Sequence, residues 1–327
     1  MIVIHTSNSH VSQDTVDDFE KELLSHDGVY LAPPTNKQLY KWNYFFYKLC
    51  RKIHVDLIPY AREIYKKDPS KDSGHLFTVM MGLDEMKWRP FGLSCHHVKS
   101  VYLFDAWPKD YNKIVDFCCK YKIDYLFVTS KQSTNRLSEL MPDVCVRYVP
   151  EAVRVERYSQ SDYSSRTIDV LAMGRKWDDY HNRIVDGLKS LGKNYLYEKE
   201  KGRVIFSDRN SLINGLSSSK ISICVPSSIT HPERAGDVET MTVRYLESMA
   251  SKCLVLGMAP AEMVELFGYN PVIQIDLDNP VNQIADILNH YFDYIPLIEK
   301  NYQVVKQYHT WTNRYEQMNM VWKEKII

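Results

Sequence analysis

Apolar residues come in short unbroken runs, and between the runs they recur at helical spacing. Ile2-Val3-Ile4, Leu76–Met81, Val101–Phe104, Tyr125–Val128 and Val144–Val149 each read as a buried strand. Val16, Phe19, Leu23 and Leu24 repeat every three or four positions, which predicts a helix with Asp14 as its N-cap. Residues 36–66 carry Leu39, Trp42, Phe45, Phe46 and Leu49 at the same spacing and predict one or two long helices; further helices are predicted near 110–120 and 132–140. Periodicity fades over Pro150–Arg166, where residues 158–165 are polar and turn-rich, and this stretch reads as a linker.

The alternation then restarts. Strands are predicted at Ile168–Ala172, Tyr195–Glu198, Ile221–Val225, Cys253–Leu256 and Val272–Ile275, separated by helices over 178–191, 210–217, 240–251 and 261–266. A helical region fills 281–307 and an amphipathic segment follows over 311–323. Buried strands alternating with helices, in two stretches of similar length without internal repeat, predict an α/β protein of two Rossmann-like domains, 1–153 and 154–307. In such sheets ligands sit at the carboxyl ends of the strands, so the loops after strands are where chemistry is sought.

Composition narrows the field. Lys plus Arg and Asp plus Glu are both 41, and this zero net charge argues against wholesale electrostatic capture of nucleic acid or anionic lipid. With only 12 glycines there is no G-x-G-x-x-G and no G-x-x-x-x-G-K-[ST], which disfavours a dehydrogenase or a P-loop enzyme. The seven cysteines are odd in number, form no C-x-x-C and sit mostly in apolar runs, as small buried hydrophobes of a reducing compartment do. Met1-Ile-Val-Ile-His5 lacks the basic flank of a secretory signal, and the longest uncharged apolar stretches fall short of the roughly 20 residues of a bilayer span. The chain reads as cytoplasmic, with peripheral membrane contact left open.

The most informative stretch runs from Cys224 to Leu256. A buried strand ends at Val225-Pro226, a polar loop with Ser227 follows, a helix is predicted from Thr240, and a strand follows at Cys253. The N–H groups of Thr240, Met241 and Thr242 would then be free at a helix start and suit a diphosphate. Glu239 lies just before that helix and Glu247 two turns along it.

Here the chain resembles the retaining GT-B glycosyltransferases, in particular the family-4-like and spore-coat-type group. Their E-x7-E motif maps to Glu239 and Glu247, with the turn and strand after it at Ala250–Leu256; Lys252 stands where the family has glycine. Arg244 matches an R-x-x-E pattern of the spore-coat-type group. The resemblance implies that Glu239 contacts the donor sugar and Glu247 the ribose. Ile168–Trp177 resembles the first strand and loop of the donor domain, implying phosphate contacts from Arg175 and then Lys176, with Arg183 one turn into the next helix a weaker candidate. In the family the last helix packs back on the N-terminal domain, a role implied for residues 308–327. The implied fold is two Rossmann-like domains facing across a cleft. The implied activity is transfer of a sugar from a nucleoside-diphosphate sugar to a glycan, a lipid-linked glycan or another hydroxyl acceptor. The anomeric configuration would be retained, with no cofactor and no metal.

The acceptor half is less legible. Asp105 and Trp107 follow a predicted strand and could orient a hydroxyl and stack on a sugar; His5 and Asn8 follow the first strand, where the family has a Gly-rich loop that is missing here. His96-His97 lacks a third ligand at useful spacing, so no metal is expected. A GT-B-fold sugar-nucleotide epimerase or hydrolase, or a catalytically silent binding protein of the same fold, are the alternatives.

Overall fold

In the computed structural model, which describes residues 1–4, 14–31, 49, 52–53, 74–82, 98–174, 176–200 and 204–324, the apolar runs form two separate parallel sheets. The aromatic segment 36–66 lies almost wholly outside the described residues. Met1–Val149 with Val321–Ile327 make one compact unit and Pro150–Met320 the other.

The first unit holds β1 (Ile2–Ile4), β2 (Tyr30–Leu31), β3 (His75–Met81), β4 (Val98–Phe104), β5 (Tyr125–Val128) and β6 (Cys145–Tyr148), in the order β2-β1-β3-β4-β5-β6. Its described helices are α1 (Asp14–Leu24), α2 (Tyr111–Tyr121) and α3 (Lys131–Leu140). Asp14 is the first residue of α1 rather than its cap, and with Asp17 it places negative charge at the positive end of the helix dipole. Ser130 caps α3 by accepting from the Ser133 N–H. One side of the core is an aromatic cluster: Trp322 meets Phe77 and Phe127 edge-on, each at 5.7 Å, and its Nε1 donates to Ser100 Oγ.

The second unit holds β7 (Ile168–Ala172), β8 (Tyr195–Tyr197), β9 (Ser219–Cys224), β10 (Leu254–Gly257) and β11 (Ile273–Gln274), in the order β11-β10-β9-β7-β8. The helices are α4 (Asp178–Ser190), α5 (Arg209–Ser217), α6 (Val243–Ala250), α7 (Ala261–Phe267), α8 (Pro280–Asn289), α9 (Ile295–Tyr308) and α10 (Trp311–Glu324), whose last residues belong to the first unit. The polar loop after β9 contains two single-turn helices that periodicity could not reveal, Ser227–Thr230 and Pro232–Ala235. A Cβ on Gly257 would lie 1.7 Å from the Cys224 carbonyl oxygen, so only glycine allows β9 and β10 to pair in this way.

Pro150–Arg166, read as a linker, is built into the second unit by two buried arginines. Arg166 donates to the carbonyls of Ser219 and Ser251, and Arg314 to those of Pro150 and Glu151. Among the described residues no helix is long and apolar enough to cross a membrane.

Candidate active site

The connections of the second sheet define where a ligand can enter. From β7 the chain winds outward to β8, then returns to β9 on the other side and continues to β10 and β11. The winding therefore reverses between β7 and β9, and the crevice outside the carboxyl ends of those two strands is the binding position of open α/β sheets.

Arg244 occupies that crevice. From the first turn of α6 it donates through Nη1 to the Met173 carbonyl, 3.3 Å away, and through Nη2 to the Val225 carbonyl, 3.4 Å away. Met173 directly follows β7 and Val225 directly follows β9. Gly174 lies against the guanidinium stem: it has φ +74°, and a Cβ there would come within 3.3 Å of Arg244 Cδ. The next residue, Arg175, lies outside the described residues. Lys176 borders a pocket that Met173 and Val225 also line, together with Trp177, Tyr180 and His181. Its ammonium lies 3.4 Å from Asp178 and 5.8 Å over the Tyr197 ring. Burial, followed by the charge of Lys176, pushes the His181 imidazole pKa down. Arg183 is exposed, and its contacts run to Asp179 and the Leu277 carbonyl rather than to the β7 and β9 ends.

The segment carrying Glu239 departs from its sequence reading. The helix begins at Val243, not Thr240, and of the three N–H groups expected to be free that of Met241 is taken by an acidic side chain. The Met241 N–H and the Thr240 hydroxyl both donate to Glu262 Oε1, at 2.9 and 2.8 Å. The Val243 N–H donates to the Glu151 carboxylate. Orphan N–H groups at a helix start must find acceptors. Here they find them 21 and 92 residues away, a proximity that only folding creates. Thr242, the residue before the helix, has a buried hydroxyl with no partner among the described residues. Ser227 is fully buried at the start of the first single-turn helix. Glu239 is half-buried, and its negative charge is one of the smaller causes, after burial, of the raised pKa of the Tyr245 phenol.

Glu247 sits in a different setting. It is 4% exposed, and its Oε1 accepts from Arg209 Nη1 and from the Tyr158 hydroxyl, both at 2.9 Å. Arg209 also donates to the Tyr158 oxygen, which closes a buried triad of two charges and a phenol. Arg209, Tyr158, Glu262 and Glu151 were not singled out from the sequence. The adjacency of Glu151 to Pro150 and the place of Arg209 at a helix start were the available signals.

In the first unit, Asp105 follows β4 at φ 53°, a left-handed conformation that costs about 1 kcal/mol or more outside glycine. Trp107 is buried, so its ring offers no exposed face to a sugar; it is core. His5, Asn8 and His96-His97 fall outside the described residues. Among the described residues no three His, Cys, Asp or Glu side chains converge as metal ligands would.

No protein-family model matches the chain, and no curated protein does. Solved structures do. A sucrose-phosphate synthase from Thermosynechococcus elongatus superposes with a TM-score of 0.65 at 11% identity, covering 99% of this chain and 98% of that one. HepE of Anabaena, in complex with UDP and glucose, gives 0.62 at 9% identity, with 99% of each chain covered. A glycosyltransferase from Rickettsia africae gives 0.53 at 12% identity, covering 99% and 97%. At such identities the likeness is one of fold: the chain has the α/β GT-B architecture of these enzymes, with two Rossmann-like parallel sheets.

Proposed function

We propose that the chain is a glycosyltransferase. It would move a sugar from a nucleoside-diphosphate sugar to a hydroxyl of a glycan, lipid-linked or free, retain the anomeric configuration and need no metal. The observation that carries this reading is Arg244, a guanidinium fixed at the winding reversal of the second sheet, the ligand position of open α/β sheets, in a fold like that of UDP-bound HepE. A fixed guanidinium suits a diphosphate because its forked donors match phosphate oxygens and stay charged at every working pH.

In the reaction the bond between the anomeric carbon and the diphosphate oxygen breaks as the acceptor oxygen bonds to that carbon. The diphosphate leaves with the electron pair, and its oxygen takes the acceptor proton. Arg244, with Arg175 and Lys176 from the loop after β7, would offset the growing negative charge. A single such donor is worth about 3 kcal/mol of barrier. Glu239 would bind the sugar and balance positive charge at the anomeric carbon, and Glu247, whose Oε1 is held by Arg209 and Tyr158, would take a ribose hydroxyl through its other carboxylate oxygen. Any contact with a membrane surface would serve a lipid-linked acceptor.

A thermal-shift screen with UDP, GDP, CDP and ADP and their common sugars tests the reading, since a ligand at 100 times its Kd stabilises by about 2.7 kcal/mol. One nucleotide should raise the melting temperature, and Arg244→Met should remove that shift. Glu239→Ala should keep the shift for the free nucleotide yet slow sugar transfer at least about 100-fold. A protein that no nucleotide stabilises is not this enzyme.

A further inference from the structure

We infer that Glu262 is a positioning residue for Glu239: from α7, its buried carboxylate holds the segment that presents Glu239. The inference rests on the role proposed above for Glu239. Residues 236–242 form neither helix nor strand, so no ladder of backbone bonds fixes them. Glu262 supplies what the ladder would. It is 5% exposed, and one oxygen accepts from two consecutive residues, the Thr240 hydroxyl at 2.8 Å and the Met241 N–H at 2.9 Å. Thr240 is bonded to Glu239 and is itself 4% exposed, and Met241 is fully buried, so the chain leaving Glu239 has a fixed direction.

A carboxylate is costly to bury without donors, and two charge-assisted bonds to one short segment make it a strong anchor. Glu151 holds the other end by accepting from Val243 N–H. Between the two anchors only Thr242 remains, with its hydroxyl unpartnered among the described residues. The segment is therefore pinned on both sides of one residue, and Glu239 hangs from the outer side of the first pin. Misplacing a reacting or charge-balancing group by about 1 Å can cost two orders of magnitude in rate, which is the scale on which such an anchor matters.

The test uses the full chain with UDP-glucose as probe and reads three quantities: amide hydrogen exchange at Met241, UDP release, and UDP affinity by calorimetry. Glu262→Ala should speed exchange at Met241 and lower UDP release at least about 30-fold, with UDP affinity within about threefold of wild type. Glu262→Gln, whose amide oxygen can still accept both bonds, should recover most of both losses. The double variant Glu239→Ala/Glu262→Ala should release UDP no more slowly than Glu239→Ala alone, because a residue acting through another adds nothing once that other is gone. If Glu262→Ala does not fold, Thr240→Val removes one of the two bonds and should show the same dependence on Glu239. Unchanged exchange, unchanged UDP release, failure of Glu262→Gln to recover, or a double variant slower than Glu239→Ala overturns the inference while leaving the site intact. If Glu239→Ala releases UDP at the wild-type rate, or wild type releases none, the reading of the site falls and the inference with it.

Discussion

In the first unit a cluster of aromatic rings is set into an otherwise aliphatic interior. Phe19 meets Tyr102 at 4.9 Å, and Trp322 is ringed by His75, Phe77 and Phe127. In the second unit charge is buried repeatedly. Glu151, Arg166, Arg209, Glu247, Glu262 and Arg314 are all under 10% exposed, against Asp18, Glu20 and Lys99 among the described residues of the first. The two sheets wind alike, so topology does not demand the difference. Apolar packing tolerates substitutions that keep its volume, because its contacts need no fixed partner atom. A buried ion does not, because it must be met by a partner at a fixed distance. Buried charges therefore collect where loops need one conformation: Arg166 and Arg314 hold Pro150–Arg166, and Glu262 and Glu151 hold the Glu239 segment.

The sharpest break of that contrast is at Arg209. Arg209→Ala leaves Glu247 buried with its charge unpaired and should cost about 3–5 kcal/mol, read from the urea midpoint. Arg209→Met combined with Glu247→Leu should regain most of it; a double variant as unstable as the single would mean the pair is not the source.

Acid acts next. The His309 imidazole lies stacked on Phe267 and accepts from Arg314 at Nδ1, and burial together with that guanidinium holds its pKa down at about 3. The unfolded chain binds the proton first. Stability is thus complete above about pH 6.5 and falls by about 1.4 kcal/mol per pH unit below it, or about 2.7 kcal/mol by pH 4.5. His309→Gln should flatten that slope in acid melts, and an equally steep slope would locate the acid lability elsewhere.

On the aromatic side, Trp322→Phe should cost only about 1–2 kcal/mol, since it loses the bond to Ser100 and some volume while the rings repack. A loss as large as that of Arg209→Ala would erase the contrast between the units.

The smallest effect is at Lys252, held at φ 55° where glycine would be unstrained. Its ammonium pairs with Glu299 at 2.7 Å and lies 4.8 Å over the Tyr302 ring, which offsets the strain. Lys252→Gly should change stability by less than about 1 kcal/mol, whereas Asp105→Gly in the first unit, at φ 53° and with no such pair among the described residues, should stabilise by up to about 1 kcal/mol in the same assay.

Much of this architecture is legible in the chain. Tyr125–Val128 and Ile168–Ala172 are strands to the residue, because a run of buried apolar side chains has few other ways to leave water. Tyr30–Leu31 has only two residues and no period to detect, and the single-turn helices after Pro226 are set by local turns rather than by an apolar face. Glu239 and Glu247 are visible as a spaced pair, but their opposite settings are not. The first hangs from a segment held by Glu262, while the second is enclosed by Arg209 and Tyr158.

What the sequence determined by itself was the succession of strands and helices and the residue types offered at their ends, since hydrophobic burial and helical period act over a few neighbours. The tertiary structure alone decided which amides stay open, which carboxylates are spent on the protein's own backbone and which guanidinium stands at the strand ends. Those partners lie tens of residues away in sequence and meet only once both sheet and helices are packed.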